Sequence, residues 1–205
     1  MARVYVTMPY IFTGKGGFCL KHIGTRAIET QRLLLRRFQP EDAEPMYGNW
    51  ASDPEVTKFL TWPTHPNTDV TKSVVLSWVG SYEKADYYQW AIVPKELGEP
   101  IGSISVVHLD EEQGDFEIGY CIGRRWWRQG YTSEALRGVM DELFRHTDAK
   151  SVSARHDTNN PNSGAVMRKC RMTYVCTKYN GDENNQGICD VAYYTIKREE
   201  WENTK

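Results

Sequence analysis

The stretch from Phe116 to His146 constrains this chain more than any other. Phe116 to Gly123 reads as a β-strand, and Gly130 to His146 is strongly periodic. Ala135, Leu136, Val139, Met140, Leu143 and Phe144 fall on one apolar face of a helix. Between the two lies Arg124-Arg125-Trp126-Trp127-Arg128-Gln129. A strand that runs through a glycine turn into a helix presents bare backbone N–H groups at the positive end of the helix dipole. Such a start suits a phosphate, and three arginines precede it. The expected ligand is polyanionic. The plain alternative is a surface turn with solvated arginines.

The chain around it alternates strands and helices. Leu33 to Phe38 reads as a strand, and Gln39-Pro40-Glu41-Asp42-Ala43 starts a helix that carries Met46, Tyr47 and Trp50. Asp53-Pro54-Glu55-Val56 starts a short helical turn, and Asp69 to Lys84 forms a helix with Val70, Val74, Val75, Trp78 and Val79 at helical spacing. Three strands follow at 87–93, 101–107 and 116–122, separated by short turns, as an antiparallel meander. After the long helix come a strand at 150–155, a helix capped by Asn160 with Pro161 at its first position, and strands at 172–177 and 188–197. A polar loop is expected at 179–187. The pattern predicts an α/β fold with a mixed central sheet flanked by helices.

Composition excludes several classes. At 205 residues the chain buries a core without disulfides or metal. Its net charge of −2 draws it to neither nucleic acid nor membrane, and no apolar run reaches the ~20 residues of a membrane span. Five cysteines without a Cys-x-x-Cys pair argue against a disulfide framework and a zinc site, and fit a reducing cytoplasm. The five histidines are dispersed, so no metal is expected. Residues 1–28 differ in style and read as an N-terminal extension before a main domain at 29–205. Their Gly14-Lys15-Gly16-Gly17 lacks the Ser or Thr and the helix of a phosphate loop.

Phe116-Glu117-Ile118-Gly119-Tyr120, Trp127-Arg128-Gln129-Gly130-Tyr131-Thr132-Ser133-Glu134-Ala135, and Asn160-Pro161-Asn162-Ser163 with Val166 and Lys169 stand in this order. Together they resemble the GCN5-related N-acetyltransferases (GNAT). Gln31-Arg32-Leu33-Leu34-Leu35-Arg36 with Pro40-Glu41-Asp42-Ala43 resembles the ribosomal-protein N-terminal acetyltransferases within them, the Rim type. The resemblance spans about residues 29–202. It implies a split sheet and acetyl-CoA as donor of an acetyl group to a primary amine, on a protein N-terminus or a small molecule. Many relatives pair as homodimers. An acyl-CoA-binding sensor without catalysis is the alternative reading.

The resemblance also implies roles. The backbone of Arg128, Gln129, Gly130, Tyr131 and Thr132 would hold the pyrophosphate, beside Trp127. Arg124, Arg125 or Arg128 would meet the ribose phosphate. The Ile122 N–H would receive the thioester oxygen, and Asn160 the pantetheine amide. Glu117 would act as general base through a water, or else merely form an ion pair. The position of the tyrosine acid found in many relatives holds Met167, and Ser163 is expected to bond the cofactor sulfur. Trp62, His65 and Tyr193 would line the acceptor site. Cys121 reads as a buried strand cysteine, with ping-pong transfer as the rival role. Arg171 stands where relatives carry glycine, either at a cost in backbone strain or as an added positive charge.

Overall fold

A computed structural model describes residues 20–203, so the glycine-rich and β-prone segments before Leu20 lie outside the described residues. One eight-stranded sheet runs through the molecule in the order β1-β2-β3-β4-β5-β6-β8-β7. The strands are β1 (Ile28–Glu29), β2 (Leu33–Arg36), β3 (Gln89–Pro94), β4 (Gly102–Asp110), β5 (Asp115–Ile122), β6 (Ser151–Asp157), β7 (Thr173–Asn184) and β8 (Gly187–Lys197). The helices are α1 (Ala43–Met46), α2 (Pro54–Thr57), α3 (Thr68–Ser81), α4 (Tyr131–His146), α5 (Pro161–Lys169) and α6 (Arg198–Glu202). A 3-10 turn at Pro40–Asp42 leads into α1, and a π turn at Tyr47–Ala51 follows it. The expected α/β architecture with a mixed, split sheet is the one observed.

Helices cover both faces. On one, Leu136, Val139, Met140 and Leu143 of α4 pack fully buried against Leu35, Trp90, Ile104 and Phe116. On the other, Met46, Trp50 and Val75 pack with Phe38 and Val93. Strand β3, at the centre of this sandwich, is buried along its whole length. Residues 20–28 lie against the same sheet: Leu20 is buried, and His22 meets the Tyr88 hydroxyl at 3.2 Å and Glu111 at 2.9 Å.

Neighbouring strands are antiparallel except β5 and β6, which are parallel and joined through α4. That pair is short. Asp115, Phe116 and Glu117 lie beside Ser151, Val152 and Ser153, and beyond them the strands part. Both serine hydroxyls donate to the Asp115 carboxylate and clasp the joined end.

Two features depart from the sequence reading or decide it. The expected polar loop at 179–187 is instead the continuation of β7, which pairs with β8 as far as Asn184. An irregularity between Lys178 and Asp182, with Asn180 at φ 51°, lets the strand resume. An edge strand open to solvent has no apolar alternation to advertise it. Arg171 adopts φ 63°. Its N–H donates to the Arg168 carbonyl at 2.9 Å, and the Met172 N–H to that of Met167 at 3.1 Å, a Schellman cap on α5 that favours glycine. The expected backbone strain is thus present, and the arginine side chain is exposed. Arg171→Gly is therefore expected to raise stability by about 0.5–1 kcal/mol in urea unfolding, whereas Arg171→Ala brings no gain.

Candidate functional site

The parting of β5 and β6 opens the sheet. The Gly123 N–H donates to the Ile101 carbonyl at 2.8 Å, so the odd-numbered backbone groups of β5 face β4. Alternation turns the backbone of Tyr120 and Ile122 toward the gap. The Ile122 carbonyl accepts from the Trp127 indole N–H at 2.8 Å, which leaves the Ile122 N–H aimed into the opening.

The turn after β5 reaches α4 through two left-handed residues, Arg128 at φ 60° and Gly130 at φ 83°. A non-glycine residue held there stores strain of a kind that gathers at functional loops. Gly130 caps α4 without a side chain, and the first helical bond runs from the Glu134 N–H to the Gly130 carbonyl at 3.0 Å. The N–H groups of Tyr131, Thr132 and Ser133 precede that bond and have no carbonyl of the helix to meet. Two cations flank this point. A methyl added at Gly130 would stand 3.5 Å from both the Arg32 guanidinium and the Lys169 ammonium. Arg32 is fixed by Glu134 at 2.7 Å, by the Gln129 carbonyl at 3.1 Å and by the Tyr131 ring, 4.4 Å below it. Burial alone would raise the Glu134 pKa, but hydrogen bonds from Thr30 and Arg32 outweigh it and hold the carboxyl below its usual value.

A cavity of about 380 Å³ runs from this turn along the gap, bounded by Arg128, Gly130, Thr132, Trp127, Ile122 and the start of α5. A second cavity of about 250 Å³ opens from the other face, where Glu117, Arg155, Asp157 and Asp182 meet Trp62 and Phe59. Both are lined by Phe59, Leu60, Tyr120, Cys121, Asn160 and Ser163. The Tyr120 hydroxyl donates to the Ser163 carbonyl at 3.0 Å and lies 3.1 Å from the Ser163 hydroxyl. Burial raises the Tyr120 pKa, so the phenol keeps its proton. Burial also raises the Cys121 thiol, which makes it a poor nucleophile.

Glu117 sits at the fork, 8% exposed. Burial raises its pKa, against the pull of Arg155, whose Nε is 3.0 Å away. Asn160 caps α5, its side-chain oxygen accepting from the Ser163 N–H at 3.4 Å. The hairpin of β7 and β8 reaches over the second cavity. Asn185 at its tip donates to the Thr57 carbonyl at 2.9 Å and the Trp62 carbonyl at 2.8 Å, and bonds Leu60 through its backbone at 3.2 Å.

Several expected residues stand elsewhere. Arg124 turns away to Asp53 at 3.1 Å and borders neither cavity. The Gln129 side chain folds back on the Arg125 carbonyl and the Tyr131 ring lies under Arg32 with its hydroxyl on Glu96, while their backbones stay in the turn and at the start of α4, where they are expected. His65 is buried on the Thr71 hydroxyl at 2.8 Å, behind Trp62, with its pKa lowered by burial. Tyr193 borders neither cavity, and its hydroxyl lies 3.4 Å from Arg155. Met167 is fully buried, and no hydroxyl occupies that position. Arg32, Arg155 and the Tyr120 hydroxyl were not singled out from sequence. Arg32 and Arg155 reach the site only through the fold, and Tyr120 was read only as part of the strand motif.

Residues 32–173 match the family described as Acetyltransferase (GNAT) domain. The chain is 33% identical over 174 residues to the uncharacterized N-acetyltransferase p20 of Bacillus licheniformis, covering 84% of this chain and 96% of that protein. It is 28% identical over 157 residues to the FsC-acetyl coenzyme A-N(2)-transacetylase of Aspergillus fumigatus, covering 76% and 63%. The solved structure of RimL, a ribosomal L7/L12 alpha-N-protein acetyltransferase in complex with coenzyme A, shares the fold with a TM-score of 0.76 at 18% identity, over 85% of this chain and 99% of that one. The acetyltransferase MccE, in complex with acetyl-CoA and AMP, does so with a TM-score of 0.73 at 17% identity, over 82% and 93%. With the family's domain across most of its length and a close-length relative above 30% identity, the chain belongs to the GNAT acetyltransferases, enzymes that take their acetyl group from acetyl-CoA.

Proposed function

We propose that the larger cavity holds acetyl-CoA and the smaller one the acceptor amine, with acetyl transfer at the wall they share. The observation that carries this reading is the meeting of two cavities from opposite faces at Tyr120, Cys121 and Ser163, beside an open strand edge. The pyrophosphate takes the free N–H groups at the start of α4, with Arg32 and Lys169 beside it. The pantetheine arm lies along the open edge of β5 as an added strand, and Asn160 meets one of its amides. The Ile122 N–H receives the thioester oxygen as negative charge develops on it.

The amine nitrogen attacks the thioester carbon, so a C–N bond forms, the C–S bond breaks, and coenzyme A leaves as a thiolate. Glu117 takes the proton of the amine through a water. Its raised pKa narrows the gap to an α-amino group at ~8 more usefully than to a lysine at ~10.4. The departing thiolate has a pKa near ~8.5, well below that of the buried phenol. Tyr120 turns its hydroxyl from the Ser163 carbonyl to the sulfur, Ser163 donates beside it, and solvent supplies the proton. This pair removes the main ground for a non-catalytic module, the missing tyrosine at 167. An acceptor α-amine, on a protein N-terminus or a small molecule, is in keeping with the RimL-like fold.

Two experiments test the reading. Calorimetry with acetyl-CoA is expected to show Gly130→Val weakening binding by about ten-fold or more, since a β-branched residue at that φ costs ~1–2 kcal/mol, while Arg124→Ala stays within about two-fold. The reverse ranking would refute the phosphate placement. The pH dependence of kcat/KM is expected to rise through a pKa above the ordinary carboxylate range, because only ionised Glu117 accepts the proton. Glu117→Gln should lose that acidic limb along with about 10²-fold or more in rate, and an unchanged profile removes Glu117 from the mechanism.

A further inference from the structure

We infer that the acceptor site selects amines that carry no carboxylate or phosphate next to the amino group, and so takes amides, amino alcohols or peptide α-amines in preference to free amino acids. The inference rests on reading the smaller cavity as the acceptor site. Its charge is one-sided: Glu117, Asp157 and Asp182 border it against the single guanidinium of Arg155. An ammonium entering there meets an excess of negative charge. An anion beside the amine meets the same excess and needs a free cation.

Among the described residues, each cation on this wall is already engaged. Arg155 spends a different nitrogen on each neighbour: Nε on Glu117 at 3.0 Å, Nη2 on Asp182 at 3.3 Å and Nη1 on the Tyr193 hydroxyl at 3.4 Å. His156 also borders the cavity, but its Nδ1 is held by the Asp157 carbonyl at 2.7 Å. Its Nε2 is buried under α5, 2.5 Å from where a methyl on Gly164 would stand. Lys178, which borders neither cavity, is stacked on the Tyr193 ring at 4.6 Å, and Lys58, which borders only the larger cavity, lies over the Phe59 ring at 5.4 Å. The Asp157 carboxylate borders the cavity, its oxygens accepting from the Asn159 N–H and the Asn184 amide at 2.8 Å each. A substrate carboxylate would have to displace an ion pair of Arg155, or take Nη1 from the Tyr193 hydroxyl while still facing Glu117, Asp157 and Asp182, and either is costly. The neutral hydroxyls of Ser103 and Ser105, which face the same cavity, suit an amide or a hydroxyl instead.

Matched pairs test this without a confounding change in amine basicity: alanine against alaninol, leucine against leucinol and phenylalanine against phenylalaninol. Coenzyme A release is followed with a thiol reagent at saturating acetyl-CoA. The amino alcohol is expected to exceed its amino acid in kcat/KM by about ten-fold or more, which is ~1.4 kcal/mol. Asp182→Asn releases one nitrogen of Arg155 and should reduce that ratio to about three-fold or less, with acetyl-CoA affinity unchanged by calorimetry. Amino acids that match or outrun the alcohols overturn the inference and leave the acetyltransferase reading intact. A ratio unmoved by Asp182→Asn overturns the part given to Arg155. No release with any of the six, nor with a C-terminally amidated peptide that carries a free α-amine, while acetyl-CoA still binds, removes the acceptor reading itself and this inference with it.

Discussion

Everything in this molecule that bears on transfer depends on how little of β5 pairs with β6. Three residues of each strand lie side by side, and the Asp115 carboxylate clasps them through two serine hydroxyls. Beyond that point the twist of the sheet and the crossover through α4 carry the strands apart. Had the pairing continued, the backbone groups of Tyr120 and Ile122 would be spent on a neighbouring strand. Because it stops, they are not spent on a strand: the Ile122 carbonyl accepts from the Trp127 indole, and the Ile122 N–H faces the opening. Glu117, the last paired residue of β5, is thereby fixed at the apex of the opening.

The two sides of the opening are charged in opposite senses. Toward α4 the chain offers free N–H groups, a helix dipole and two cations. Toward the hairpin it offers three carboxylates and one committed guanidinium. On the proposed assignment of the two cavities, a polyanionic donor and a cationic acceptor are each drawn to their own face, and only the reacting atoms meet at the boundary. The boundary itself is neutral, made of two hydroxyls and a thiol kept protonated by burial.

Much of this was legible in the sequence, for reasons that differ by residue. The apolar face of α4, the glycine before it and the Asn160-Pro161 start of α5 are local signals, because helix period and cap chemistry are written within a few positions. Glu117, Ile122 and Ser163 could be placed because a motif fixed their strand or helix. Arg124 misled, since one salt bridge to Asp53 turns it from the cavity and no local pattern announces that partner. His65 misled for the same reason: burial behind Trp62 is a property of the packed loop, not of the residue. Arg32 enters the site from the bend before β2 and Arg155 from β6, both distant in sequence from their partners, so their roles exist only once the sheet has formed. The length of β7 was hidden because an exposed edge strand bears the composition of a loop.

The hold of Asn185 on the loop at 57–62 has a consequence for descent as well as for chemistry. One side chain at the tip of a surface hairpin holds the loop that supplies the aromatic wall of the smaller cavity, the proposed acceptor site. The tip is solvent-exposed and lies outside the buried core, so insertions and deletions there carry little penalty for folding. A lineage built on this frame can therefore change its clientele by editing a hairpin, while the donor side of the gap stays as it is.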